Sequence, residues 1–286
     1  MANENSINAG RSSAVSPMSG SASRFLFEHQ ILRKYRAEYY YDKKIGYIFV
    51  RQPHWQDEAY SETISSLDTG ILTRNLSNID TISECLSNNS HHSFIKGVDL
   101  GAGYGLFVRG MRDIGIDFYW SDKYSENLLA RGFEANYGEH DIAVAFEVLE
   151  HLSNPVDFLQ DSYSKFRFHT CFFSASCFDE QNLPDTDWWY FAFEGGQHIS
   201  FFSRRALLWM AEQLEMRLWH IKGDVFAFSK LEWKPADNIQ VKLWRRVRNR
   251  VGRMLLPQQP TLREALTWSD HIKIRDKLRN DSGGAV

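Results

Sequence analysis

The stretch Gly97-Val98-Asp99-Leu100-Gly101-Ala102-Gly103-Tyr104-Gly105-Leu106-Phe107 constrains this chain more than any other. An apolar run leads into three glycines at alternate positions, which neither a strand nor a helix favours, and a helical pattern resumes beyond them. The reading is a buried strand that breaks into a turn with positive φ, lets a ligand approach the backbone closely, and passes into a helix. The dinucleotide fingerprint G-x-G-x-x-G is different. Its third glycine would stand at Leu106, and here the glycine comes one residue early, at Gly105. The register argues against NAD.

Two later runs extend the pattern. Ile116-Asp117-Phe118-Tyr119-Trp120-Ser121-Asp122 reads as a second strand ending in an acid, about 20 residues on, where a ribose-binding carboxylate belongs. Asp141 to Phe146 is nearly all apolar, as a central parallel strand buried on both faces should be, and continues into Glu147-Val148-Leu149-Glu150-His151-Leu152. In order and spacing, these three segments resemble the class I S-adenosylmethionine (SAM) methyltransferases, whose first motif is an acid shortly before G-x-G-x-G and whose fourth strand ends in Glu-His-Leu. The resemblance covers about residues 28 to 230. It implies an α/β fold, a Rossmann-like, doubly wound seven-stranded sheet, with SAM as cofactor.

On that resemblance Asp99, Gly101, Ala102, Gly103 and Asp122 hold the cofactor, and Glu147 lines the pocket at the carboxyl edge of its strand. Two oxygens allow Asp122 to accept from both ribose hydroxyls. The amino end of the helix from Phe107 to Arg112 suits the carboxylate of the methionine moiety. The third strand is weakly marked; Leu129 to Glu134 supplies it, with Phe133 placed either against adenine or in the core. His151 reads as a residue shaping the loop before a helix that starts near Asn154-Pro155. Gly195 to Ser203 resembles a family signature, His-Ile-Ser-Phe-Phe-Ser, ahead of a late helix capped by Ser203. His198 within it is the catalytic candidate, because an imidazole with a pKa near 6.5 can take a proton from an acceptor hydroxyl at neutral pH. A structural histidine holding a lid is the other reading. The lid is Trp188-Trp189-Tyr190-Phe191-Ala192-Phe193, either packed on the core or offering aromatic faces to a sugar.

Composition sets the remaining limits. A chain of 286 residues with 43% hydrophobic content suits one main domain with additions, and a formal charge of −3 gives no general attraction to nucleic acid. Three cysteines, Cys85, Cys171 and Cys177, argue against a disulfide framework and for a reducing compartment. With no signal-like or membrane-spanning run, the expectation is a cytoplasmic protein. Four regions are expected: a mobile tail over 1–23, an N-terminal lobe and cap helices over 24–90, the SAM-binding domain over 91–232 and a helical extension over 233–286. The lobe resembles one that carries a Cys-x-x-Cys-Gly metal knuckle in similar bacterial methyltransferases. Here Asp42 and Ile45 stand at the cysteine positions, so no metal is expected. On the cap, Arg74 and Asn75 are within reach of a substrate. In the extension, Trp244, Val247, Val251 and Met254 recur at helical spacing among six basic residues, a basic amphipathic helix over 241–256 suited to a membrane surface or an acidic partner.

The function expected is methyl transfer to a small-molecule acceptor, a hydroxyl or amine of a sugar or glycan precursor such as a nucleotide-linked sugar. A non-catalytic SAM-binding scaffold and, further off, a dinucleotide oxidoreductase are the alternatives.

Overall fold

The computed structural model describes residues 13–60, 70–88, 95–233 and 273. The basic helix expected over 241–256 lies outside them.

Eleven strands among the described residues form two sheets. The first is antiparallel and holds β1 (Ala14–Val15), β2 (Ala22–Ile31), β3 (Tyr35–Asp42), β4 (Tyr47–Val50) and β9 (Ser200–Phe202), in the order β1-β2-β3-β4-β9. The second holds β5 (Lys96–Leu100), β6 (Asp117–Ser121), β7 (Ile142–Ala145), β8 (Thr170–Ser174), β10 (Arg217–Lys222) and β11 (Val225–Ser229), in the order β10-β11-β8-β7-β5-β6. In it β6, β5, β7 and β8 run parallel, and the β10-β11 hairpin adds antiparallel to β8. This is the doubly wound order expected, with one strand fewer. At the place of the weak third strand there is only a bridge, Trp120 to Glu134, beside β6. Gly132 at positive φ and a short polar segment give that stretch too few consecutive extended residues to make a strand.

Helices α1 (Gln56–Ala59) and α2 (Ile71–Asn88) precede β5; α3 (Leu106–Asp113) follows the glycine turn, α4 (Pro155–Phe166) follows β7, and α5 (Arg204–Gln213) follows β9. Gly110 in the middle of α3 is where α2 crosses closely, since a Cβ there would lie 2.3 Å from Ile79 Cδ1. Ile82 and Cys85 of α2 and Val108 and Met111 of α3 cover one face of the parallel sheet. Leu159 of α4 and Leu207 and Met210 of α5 cover the other, and the same core continues into Tyr40, Phe49 and Phe202 of the antiparallel sheet. By the two-residue period of strands, Tyr39, Tyr41, Ile48 and Val50 face the opposite way, into a third core with Trp55, Tyr190 and Phe191.

The expectation for the tail changes here. The tail expected over 1–23 includes sheet structure, because Ala14 and Val15 pair with Ser23 and Ala22. The polar composition of that stretch hid a two-residue strand that borrows its partner from β2. The last strand of the N-terminal lobe, β9, arrives from later in the chain, after β8. Asp42 and Ile45, at the positions of the metal-knuckle cysteines, serve the β3-β4 turn. Asp42 accepts from the Lys44 amide at 2.9 Å and from the Ser19 hydroxyl, while Ile45 is buried.

Candidate active site

The glycine turn follows β5 as expected, and each glycine has its own reason to be there. Gly101, Gly103 and Gly105 all have positive φ, at 74°, 52° and 87°. A Cβ on Gly101 would lie 2.7 Å from Val148 Cγ2, and one on Gly105 would lie 3.0 Å from Asn127 Oδ1. A Cβ on Gly103 would meet nothing within 4 Å, so the turn is open on that side. Trp120 holds the turn by donating its indole N–H to the Gly103 carbonyl at 2.7 Å. Gly105 is the N-cap of α3 and offers that helix no side-chain acceptor, which leaves its amino end suited to an anionic ligand group.

Asp99 and Asp122 flank this turn, and Ala102 lies within it. The Asp99 carboxyl is buried and its pKa is pushed up to about 8, first by burial and then by the neighbouring Asp122 charge. Asp122 follows β6 and is already engaged. Its Oδ2 accepts from the Gly103 amide at 2.9 Å, and its Oδ1 from the amides of Tyr124 and Ser125 at 2.7 and 2.8 Å. A carboxylate oxygen has two acceptor directions, so in this conformation Oδ2 keeps one for a ligand and Oδ1 none. Acceptance from both ribose hydroxyls therefore requires one of the three amides to let go.

The next loop begins at Glu147, which has φ 55°, a conformation costly for a residue with a Cβ and common at functional sites. Ser174, at the end of β8, holds it twice. The Ser174 hydroxyl accepts from the Glu147 amide at 2.7 Å and donates to Glu147 Oε1 at 2.8 Å. Arg74 of α2 reaches the other oxygen, Nε to Oε2 3.4 Å, whereas Asn75 is turned to its own helix and donates to the Ile71 carbonyl. Burial, with the Glu150 charge adding to it, holds the Glu147 carboxyl above the usual range.

Beyond Glu147 a short helical turn, Leu149–His151, carries Glu150 and His151 to His198, which comes from the loop before β9. The two imidazole rings meet edge to face, 4.9 Å between centres. His151 Nδ1 lies 3.1 Å from the Gln197 carbonyl and His198 Nδ1 2.7 Å from the Tyr190 carbonyl. A carbonyl oxygen only accepts, so in each ring Nδ1 carries a proton, and a neutral ring keeps its lone pair on Nε2. The His151 pKa is lowered to about 3, by burial and then by His198, so the ring is neutral. Glu150 is wholly buried and accepts from the Tyr190 hydroxyl at 3.0 Å; burial raises its pKa.

The aromatic insertion is chiefly core. Tyr190 and Phe191 are buried against Phe201, and Phe193 stacks on His29, but Trp189 is 72% exposed. Phe133, one candidate for an adenine contact, is buried beneath the Arg112 guanidinium, 3.7 Å from its ring centre.

A family model described as a methyltransferase domain matches residues 72–221, more than half of the chain and the whole span from α2 through the parallel sheet to β10. The chain belongs to this methyltransferase family. With the glycine turn at the carboxyl edge of its sheet, the methyltransferase is of class I, with SAM as methyl donor. No curated protein gives a significant match to the sequence. Among solved structures, the methyltransferase is similar to magnesium protoporphyrin IX methyltransferase from Synechocystis with bound SAH, at 11% identity and a TM-score of 0.44, covering 63% of this chain and 96% of that one. It is also similar to mitomycin 7-O-methyltransferase, at 14% identity, TM-score 0.42, 62% of this chain and 58% of that one. An O-methyltransferase family protein from Burkholderia thailandensis shares 10% identity, with TM-score 0.43 and 62% of each chain covered. Likenesses this distant do not bear on the acceptor.

Sequence reasoning named the turn, both aspartates, Glu147 and His198, and the structure puts Asp99 in β5, Asp122 just after β6, Glu147 after β7 and His198 in the loop before β9. Sequence reasoning missed what Glu150, His151 and Tyr190 contribute. The available signal was a Glu-His pair close behind a strand end and a second histidine 47 residues later in a signature of its own. Only the fold brings them together.

Proposed function

We propose that the protein transfers the methyl group of SAM to a hydroxyl or amine of a small molecule, with a sugar or glycan precursor, such as a nucleotide-linked sugar, as the first class to test. The observation that carries this reading is the juxtaposition of an open glycine backbone at Gly103 with the loop from Glu147 to His151, which touches the turn through Val148 and Gly101. The residues fit the cofactor in three respects. Gly103 leaves the backbone clear, α3 presents an uncapped amino end to a carboxylate, and Asp122 Oδ2 retains an acceptor direction for a ribose hydroxyl. Bound SAM supplies an electrophilic methyl on a sulfonium.

The protein's work is then to align the acceptor, exclude water and accept one proton. In this reading His198 takes the proton, since its Nδ1 is tied to the Tyr190 carbonyl and its Nε2 lone pair is available. Exposed Trp189 offers an apolar face for a sugar ring.

Calorimetric titration with S-adenosylhomocysteine tests the cofactor site. Binding in the micromolar range, weakened at least tenfold in Asp122→Asn, is the expected result. Transfer of labelled methyl from SAM to a panel of nucleotide-linked sugars then tests the acceptor. A folded protein that binds no S-adenosylhomocysteine overturns the reading.

A further inference from the structure

The geometry points to a divalent transition-metal site formed by Glu150, His151 and His198, on the acceptor side of the methyl-transfer pocket. One potential ligand atom from each of the three residues lies within 4.8 Å of the other two. The hydrogen bonds leave these residues with acceptors only. Both imidazoles spend the Nδ1 N–H on a carbonyl, Gln197 for His151 and Tyr190 for His198, and so, when neutral, keep the lone pair on Nε2. Glu150 receives the Tyr190 hydroxyl on Oε1, while its Oε2 is buried and has no hydrogen-bond partner.

Two imidazoles and a buried carboxyl group with an unmatched oxygen thus come together. A buried acceptor left without a donor is costly, and a cation satisfies all three at once. The surroundings are those of a metal centre. Ligating histidines characteristically donate their second nitrogen to a carbonyl or carboxylate, which fixes ring and tautomer, and both do so here. The third ligand is likewise oriented by the Tyr190 hydroxyl.

Two imidazole nitrogens and one carboxylate select zinc, cobalt or manganese rather than magnesium or calcium, which prefer all-oxygen sets. Side-chain adjustment to metal–ligand distances of about 2.0–2.2 Å would draw the three atoms together, and three protein ligands leave a position open for water or an acceptor oxygen. In the ion-loaded protein the His198 lone pair belongs to the cation, so the proton-accepting role assigned above describes the ion-free protein. The proposal deepens the reading of the acceptor pocket, but its test reads the metal directly.

Protein stripped with a chelator and titrated with Co²⁺ should take up one equivalent with visible d–d absorption, which Zn²⁺ displaces and Mg²⁺ does not. Glu150→Gln and His198→Ala should each weaken Co²⁺ binding by about 100-fold, while S-adenosylhomocysteine binding, measured in parallel, persists and shows that the variants fold. In the wild-type protein, ¹⁵N spectra of the histidine rings should show two Nε2 resonances shifting on Zn²⁺ addition, which needs no variant. Absence of Co²⁺ uptake by folded protein, or uptake unchanged in both variants with no paired Nε2 shift, overturns the proposal. Loss of S-adenosylhomocysteine binding by the wild type would instead sink the methyltransferase site and leave the metal result standing.

Discussion

Asp99 shows how a single side chain ties the site to stability. In the folded protein its pKa is about 8, against 3.8 for the free carboxyl, because burial and the Asp122 charge disfavour ionisation. Between those values the native state keeps a proton that the unfolded chain releases. The stability contribution is therefore fully present below pH ~4 and is lost as pH rises towards 8. Asp99→Asn should flatten that slope. Urea denaturation at pH 5 and pH 8 should show the variant gaining up to a few kcal/mol on the wild type at the higher pH. Parallel slopes in the two proteins would mean that the native carboxyl is already ionised. At this scale the site was legible where chemistry is local: an acid at a strand end, a glycine at a turn. Glu150 was not legible, because its meaning lies in an unmatched oxygen, and nothing in Glu150-His151-Leu152 reveals that Tyr190 satisfies only the other one.

Among the elements, α5 makes the most exacting use of its first residues. Ser203 accepts from the Ala206 amide at 3.2 Å as the N-cap and donates to Glu180 Oε1 at 3.0 Å. Glu180 also pairs with Arg205, whose guanidinium donates to the carbonyls of Lys43 and Lys44 in the β3-β4 turn. Ser203→Ala should cost about 1–2 kcal/mol in chemical denaturation, more than an isolated exposed cap, since it also releases Glu180. A change below ~0.5 kcal/mol would show that Glu180 and Arg205 hold the helix start alone. The cap was legible from Ser203 preceding an apolar period, as were β5 and β7 from their apolar runs. The third strand was not. Its residues are bent into a loop by Gly132 and by Asn127, which accepts from the Ala130 amide and donates to Glu134, and such side-chain bonds leave no periodic trace.

For the whole molecule the two sheets depend on each other. β4 pairs with β3 on one edge and with β9 on the other, Tyr47 to Phe202 and Phe49 to Ser200. Both faces of the antiparallel sheet are covered by residues from later in the chain, Leu207 and Met210 on one and Tyr190 and Phe191 on the other. A fragment of residues 13–60 should therefore remain unfolded, with collapsed amide dispersion in its NMR spectrum; well-dispersed signals would show the lobe to be autonomous. Among the described residues no helix is long and apolar enough to cross a membrane. The position of β9 also has a consequence for biosynthesis. Some 150 residues separate β4 from its partner, so at about 5–20 residues per second the ribosome leaves a tyrosine-rich ribbon without its closing strand for roughly 8–30 s. During that interval its open edge is a template for any extended peptide nearby, and the yield of this protein in a cell should follow the supply of chaperones that shield nascent chains more closely than the equilibrium stability of the finished fold.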